Sequence, residues 1–336
     1  MGSRHPGAQL DMRPILLYYY VTYRCNVRCE FCNIWDPAVW DHRSMPTWTQ
    51  MQANLRAARE LGCRFVDFTG GEPLLYPDLA DALRLAKTLG YRTSTTTNCV
   101  LYPKRARELV GHVDLLHFSL DAADKQTHDA GRGYPCFDTV MESLDLALSL
   151  GERPDLLFTA TNRTYLQVEA LVRLSQRSGV MLLVNPEFSY FGNAGLKAEA
   201  LEHLEQFEGE PYVYMNRALH RLIRAGGNHR HGPVCRAVEA AIVVSPDDHL
   251  LLPCFHLQRD RLRINGRLGE LRRSALVREY LRDDGRHSFC EGCAINCYMD
   301  PSFLYQINAY FALSLGAKVK YTFDKFFRPR PARIAP

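Results

Sequence analysis

Cys25, Cys29 and Cys32 form a CxxxCxxC run within Tyr23-Arg-Cys-Asn-Val-Arg-Cys-Glu-Phe-Cys-Asn-Ile-Trp35. Three thiolates on one short loop suit an iron-sulfur cluster and leave one iron without a protein ligand. Such an iron can bind a substrate or cofactor, whereas fully ligated clusters carry electrons or hold structure. Zinc needs a fourth ligand, and the nearest histidine, His42, is ten residues past Cys32 in a tryptophan-flanked loop. A second group comprises Cys235, Cys254, the pair in Cys290-Glu-Gly-Cys293, and Cys297. Of the remaining three, Cys63 and Cys136 read as buried thiols, while Cys99 stands beside Asn98.

Eleven cysteines in 336 residues could also make disulfides. The early apolar run, Pro14 to Val21, is too short to span a membrane and has no small-residue cleavage site behind it. A cytoplasmic, reducing location is therefore expected, where clustered cysteines bind metal or do redox work. With 46% hydrophobic and 23% charged residues the chain can bury a sizeable core, and a net charge of +4 spread along it argues against nucleic acid.

The elements that must position these cysteines alternate. Strands are expected at Ile15–Thr22, Phe65–Thr69, Thr93–Thr97, Leu115–Leu120, Asp155–Thr161 and Met181–Glu187. Helices are expected at Trp48–Leu61, Pro77–Leu89, Lys104–Leu109, Cys136–Leu150 and Leu166–Ser178. Gly62, Gly90 and Gly179 stand where three of these helices should end. Repeated strand-helix units imply an α/β fold with a parallel sheet, open or a partial barrel. After about residue 190 the rhythm breaks. A Glu-rich helical stretch, Leu201–Phe207, leads to a His/Gly/Arg loop at Gly226–Gly232, and a Pro-Asp-Asp turn between Ala240–Val244 and Leu250–Leu252 reads as a β-hairpin.

CxxxCxxC with an aromatic, Phe31, before its last cysteine resembles the radical S-adenosylmethionine (SAM) superfamily. Further matches follow in order on expected strand ends: Gly70-Gly71-Glu72-Pro73, Thr97-Asn98, Ser119-Leu120-Asp121, and Arg132 in His128-Asp-Ala-Gly-Arg-Gly133. The resemblance implies that Gly70, Gly71, Glu72 and Pro73 receive the methionine amino group. It also implies that Asn98, Ser119 and Asp121 contact the carboxylate and ribose, and that Arg132 is a further cofactor contact. It covers roughly residues 15–190 and implies a partial (β/α)6 TIM-like barrel whose [4Fe-4S] cluster cleaves SAM to a 5'-deoxyadenosyl radical. Ligands of parallel α/β sheets bind outside the carboxyl ends of the strands, where these motifs lie. Asn185, Glu187 and Tyr190, at a late strand end, would face the substrate or simply close the strand.

A hairpin flanked by cysteines and followed by a helix and CxxC resembles the SPASM or shorter twitch appendage of this superfamily. Five cysteines are too few for the two auxiliary clusters of a full SPASM domain, so one auxiliary [4Fe-4S] cluster is implied. Its preferred ligands are Cys235, Cys254, Cys290 and Cys293, with Cys297 spare or an alternative. Structural zinc on the same thiolates is the rival. The resulting organisation is a loose N-terminus (1–14), the barrel (15–190), a helical linker (191–230), a small C-terminal hairpin/helix iron-sulfur appendage (231–300) and an amphipathic helix with tail (301–336).

The expected activity is hydrogen abstraction from an unactivated carbon of an unknown small-molecule, lipid-linked or peptide substrate, with flavodoxin or ferredoxin as reductant. The competing reading is a non-catalytic iron-sulfur or zinc protein that carries electrons or responds to redox state. At the C-terminus, Leu304, Ile307, Phe311, Leu315, Val319, Phe323 and Phe326 recur at helical spacing beside Lys318, Lys320, Lys325, Arg328 and Arg330. Such a helix either packs over the barrel or lies peripherally on an anionic membrane.

Overall fold

The structure, a computed structural model, describes residues 13–190 and 192–329. Its first part alternates β1 (Leu16–Thr22), α1 (Trp48–Leu61), β2 (Phe65–Gly70), α2 (Leu79–Thr88), β3 (Arg92–Thr97), α3 (Tyr102–Leu109), β4 (Leu115–Ser119), α4 (Lys125–Arg132), α5 (Phe137–Ser149), β5 (Asp155–Ala160), α6 (Val168–Ser178) and β6 (Leu182–Pro186). There follow α7 (Ala198–Glu205), β7 (Val213–Tyr214), α8 (Arg217–Arg224), α9 (Ala237–Ala240), β8 (Ala241–Val244), β9 (His249–Leu252) and β10 (Asp260–Arg263). The last helices are α10 (Leu268–Arg272), α11 (Ala275–Arg282), α12 (Asn296–Ser302) and α13 (Ala309–Thr322).

One sheet runs in the order β10-β9-β8-β1-β2-β3-β4-β5-β6-β7. Strands β1 to β7 pair in parallel with their sequence neighbours, as a partial TIM-like barrel requires. Side chains alternate between the two faces of a strand. Leu17, Tyr19, Val66, Phe68, Leu116, Phe118, Leu156 and Phe158 enter the main core that includes α1, α2, α3 and α5. Burying each Leu or Phe of that set contributes about 2 kcal/mol. The opposite, concave face carries Tyr18, Asp67, Thr69, Ser94, Thr96, His117 and Ser119, a polar set.

Local chemistry explains the ends of the helices. Thr47 and Gln50 form a capping box at the start of α1, and Gly62 closes it with φ 121°. Helix α4, unexpected from the sequence, starts where Asp124 accepts from the Thr127 N–H at 2.8 Å and ends at Gly133 with φ 59°.

The hairpin expected in a separate appendage continues the barrel sheet. β8 pairs in parallel with β1, from Leu16↔Ala241 to Tyr19↔Val244, and β9 and β10 extend it antiparallel. The expected loose N-terminus lies outside the described residues except at its last two positions.

Helix α13 contacts α8, β7 and the turn that follows it. Its apolar stripe does not pack: Ile307, Leu315, Val319, Phe323 and Phe326 are exposed, and Leu304 and Phe311 half-buried. The basic residues beside the stripe are engaged internally, Lys318 with Asp300, Lys320 and Arg328 with Asp324, and Lys325 with Asp155. Arg330 lies outside the described residues. Among the described residues no helix is long and apolar enough to cross a membrane.

Candidate functional site

The carboxyl ends of β1 to β4 surround a cleft of about 170 Å³ lined by Cys25, Cys29, Cys32, Phe31, Gly70, Gly71, Glu72, Asn98, Ser119 and Arg132, together with Trp35 and Thr96. The cysteine loop is held from two sides. Backbone N–H groups of Arg28 and Glu30 donate to the carbonyls of Arg132 and Gly131, each at 3.0 Å, and Trp35 Nε1 donates to the Cys32 carbonyl at 2.6 Å. Burial pushes the Cys25 thiol up to about 12 and Cys32 up to about 11, and raises Cys29 against the pull of Arg132. Thiols enclosed in this way stay protonated unless cations bind them. Two donors already face the sulfurs: Arg132 Nη1 lies 3.6 Å from Cys29 Sγ, and Asn98 Nδ2 lies 3.9 Å from Cys25 Sγ.

Glu72 is 1% exposed and accepts three hydrogen bonds, from Leu74 N–H at 3.0 Å, Thr97 Oγ1 at 2.8 Å and Asn98 N–H at 2.8 Å. Burial nevertheless pushes its carboxyl up to about 6. Glycine is required beside it for a reason other than ligand approach. A Cβ on Gly70 would stand 2.0 Å from the Thr22 carbonyl oxygen, and one on Gly71 2.1 Å from that of Arg24. The Gly-Gly pair thus lets β2 leave the sheet in contact with the end of β1 and the start of the cysteine loop that follows it.

Two of the sequence-derived residues do not line the cleft. Pro73 starts a short 3-10 turn behind it. Asp121 is buried and ion-paired, with its Oδ2 2.6 Å from Arg132 Nε, so it positions the guanidinium from behind. Arg132 also lies over the Phe31 ring, 5.5 Å from its centroid.

A second, more enclosed cavity is lined by Cys235, Cys254, Cys290 and Cys293, with Asp284, Ile295 and Tyr298 around them. Cys297 is not part of it. The organiser of this cavity is Asn228, which sequence reasoning left in a linker loop. Its Oδ1 accepts from the N–H groups of Val234 and Cys235, and its Nδ2 donates to the carbonyls of Gly285 and Cys290. Its backbone pairs with Cys293 and Gly292. A Cβ on Gly227 would lie 2.2 Å from the Gly292 oxygen, so these loops touch backbone to backbone. Its placement after two glycines was the only local signal, and that reads merely as a turn.

A family model described as the radical SAM superfamily matches residues 19–174. Residues 19–174 carry a radical SAM domain. The match runs from β1 into α6 and contains every residue lining the first cleft, while the second cavity lies beyond it. Among curated relatives, a probable GTP 3',8-cyclase of Saccharolobus islandicus is 32% identical over 163 residues, covering 48% of this chain and 52% of the relative. One from Sulfurisphaera tokodaii is 29% identical over 206 residues, covering 59% and 63%. The chain thus spans about half the length of the first of these relatives. Two solved structures resemble it in fold: anSMEcpe with bound AdoMet (TM-score 0.64, 17% identity, 92% of this chain and 97% of that one) and Streptococcus suis SuiB bound to S-adenosylmethionine (0.62, 16%, 89% and 76%).

Of the other singled-out positions, Asn185, Glu187 and Tyr190 lie beyond the matched residues; Asn185 stands on the concave face, and Tyr190 donates from its hydroxyl to the His256 carbonyl at 2.7 Å. Glu187 is half-buried, and its carboxyl is raised by burial and by Glu30. Cys63, Cys99 and Cys136 are buried, and all eleven cysteines are free thiols.

Proposed function

We propose that this chain cleaves S-adenosylmethionine reductively and abstracts hydrogen from an unactivated carbon of a biosynthetic substrate, with an electron drawn from a flavodoxin or ferredoxin in a reducing, cytoplasmic setting. The observation that carries the reading is the convergence of three thiols, one buried and two half-buried, with Glu72, Asn98, Ser119 and Arg132 on one cleft at the carboxyl ends of parallel strands. The donor set fits the cofactors: three enclosed thiols with two N–H donors aimed at sulfur can hold a cluster with one open iron, and the Gly70-Gly71-Glu72 turn offers a negative group for an ammonium. When bound, the cluster and SAM supply a 5'-deoxyadenosyl radical through one-electron cleavage of a carbon-sulfur bond.

The protein's own part is positioning and exclusion of water. Cys25, Cys29 and Cys32 hold the cluster. Arg132, fixed from behind by Asp121, places its positive charge beside Cys29 and offsets the charge of the thiolates. Glu72, fixed by Thr97 and the Asn98 N–H, cannot swing away from the cleft. Trp35 and Phe31 wall it from solvent.

Cys235, Cys254, Cys290 and Cys293 would hold one auxiliary [4Fe-4S] cluster that assists electron transfer. Four thiols around one enclosed cavity fit either this cluster or zinc, and metal analysis separates them. The test of function is anaerobic: reconstituted, reduced protein with SAM should form 5'-deoxyadenosine, and the Cys25→Ala, Cys29→Ala and Cys32→Ala variants should not. Formation by any of the three at the parent's rate would sink the proposal.

A further inference from the structure

The concave face continues deeper than the cysteine cleft. Thr69 and Thr96 line the cleft. Residues two positions earlier on the same face, Asp67 and Ser94, therefore lie one layer, about 7 Å, further into the barrel. Asp67 is enclosed there. Burial raises its carboxyl, with Ser94 as hydrogen-bond partner and His117 nearby pulling it back, and its Oδ1 has no partner. His117 cannot serve as a dedicated counter-charge, because its Nε2 lies 3.4 Å from Asp155 Oδ2 and its Nδ1 3.3 Å from Thr96 Oγ1.

Helix α12 lies across this face. The Tyr18 hydroxyl donates to the Cys297 carbonyl, and Asn296 Nδ2 donates to Asn185 Oδ1 at 2.9 Å. The Asn296 side-chain oxygen is left buried and unpaired. The Cys297 thiol is solvent-accessible, yet enclosed enough for burial, with Asp67 and Asp300 nearby, to push it up to about 12.

Both unpaired atoms are hydrogen-bond acceptors, and one belongs to a carboxyl. Buried acceptors without donors are costly, and an N–H group with positive charge would satisfy them. We infer that Asp67 and Asn296 form a substrate subsite for a protonated amine, one layer below the SAM cleft, and that Cys297 contacts the substrate there instead of binding a cluster. The subsite rests on the function proposed above, since it takes the adjoining cleft to be where the radical arises.

The experiment uses Cys297 as a reporter in anaerobically prepared holoprotein. Three methanethiosulfonate reagents carry an aminoethyl, a methyl or a sulfonatoethyl group. Each forms a mixed disulfide with the thiol, releasing methanesulfinate and a proton. Modification of Cys297 is followed by fragmentation mass spectrometry, with every rate divided by that reagent's rate on free cysteine. The cationic reagent should react about tenfold faster than the neutral one, the size expected for one charge a few ångströms away in a partly wet site. The anionic reagent should react more slowly than the neutral one. Asp67→Asn should bring the cation-to-neutral ratio to about one; a ratio cancels any change in the thiol's own reactivity. An unmodified Cys297, equal rates in the parent, or a preference that survives Asp67→Asn would each overturn the proposal. Should Asp67→Asn not fold, methylammonium chloride must slow neutral labelling of the parent more than equal sodium chloride does, and equal effects would overturn the proposal. None of these readouts needs SAM cleavage, so a failure here is separable from failure of 5'-deoxyadenosine formation in the same preparation.

Discussion

The Nζ of Lys325 lies 2.7 Å from Oδ1 of Asp155, with the two side chains 4% and 1% exposed. Tyr321 donates its hydroxyl to the other carboxylate oxygen at 2.7 Å. Asp155 opens β5 and Lys325 follows α13, so this pair ties the C-terminal segment to the amino-terminal end of the barrel strands. Lys325→Met would leave a buried carboxylate without its cation, which costs about 3 kcal/mol. The urea midpoint should fall accordingly, and adding Asp155→Leu should restore part of it. A midpoint unchanged by Lys325→Met would show that the pair does not hold this end closed.

Acid should destabilise the fold in two successive steps. Burial pushes the His128 imidazole down to about 4, and Arg132 pushes the same way. As pH falls from about 6.5, the ordinary histidine value, the unfolded chain takes up this proton first, so stability drops until about pH 4. Asp155 is buried, which alone would raise it, but His117 and Lys325 outweigh burial and hold it below the usual carboxylate range. Its stabilisation is complete above the ordinary aspartate value of about 3.9 and is lost as pH falls through the lower folded value. Urea midpoints should therefore be level above about pH 7 and decline towards pH 4, and His128→Gln should flatten the upper part of that decline. An undiminished slope in that variant would assign the effect elsewhere.

Gly70→Ala and Gly71→Ala should prevent accumulation of folded protein, because each added methyl would meet backbone at the end of β1 or at the start of the cysteine loop. Gly131→Ala offers the contrast. It lies within α4, a Cβ there meets nothing within 4 Å, and alanine should stabilise the helix by about 0.5–1 kcal/mol. Soluble yield and thermal melts distinguish the three; a well-folded Gly71→Ala protein would contradict the close approach.

Metal content tests the division of the C-terminal cysteines. Two four-iron clusters give about eight irons per chain, and Cys235→Ala or Cys254→Ala should leave about half. Cys297→Ala should keep the full complement. Iron lost from Cys297→Ala would return that residue to the ligand set, and stoichiometric zinc in the parent would replace the auxiliary cluster by a structural site.

Much of the first site was legible because its information is local. CxxxCxxC places three thiols on one loop whatever the remainder of the chain does, and strand alternation with Gly-Gly-Glu, Asn98 and Ser119 at strand ends directs those residues to one rim. Helix α4 was not legible, because Lys-Gln-Thr-His-Asp-Ala-Gly-Arg has no apolar periodicity and is set by its cap and by contact with the cysteine loop. Asn228 was invisible for a related reason: its side-chain bonds reach 57 and 62 residues along the chain. The spacing of Cys290, Cys293 and Cys297 permits several ligand sets, and only the placement of α12 against the barrel separates Cys297 from the others. At the C-terminus, periodicity revealed an apolar stripe and a basic cluster, but a stripe does not say what covers it, nor a lysine which carboxylate it meets. Tertiary structure sent Lys325 to Asp155 and left Phe326 in solvent, because burying a charge requires a partner brought from elsewhere in the fold, and sequence order does not encode that meeting.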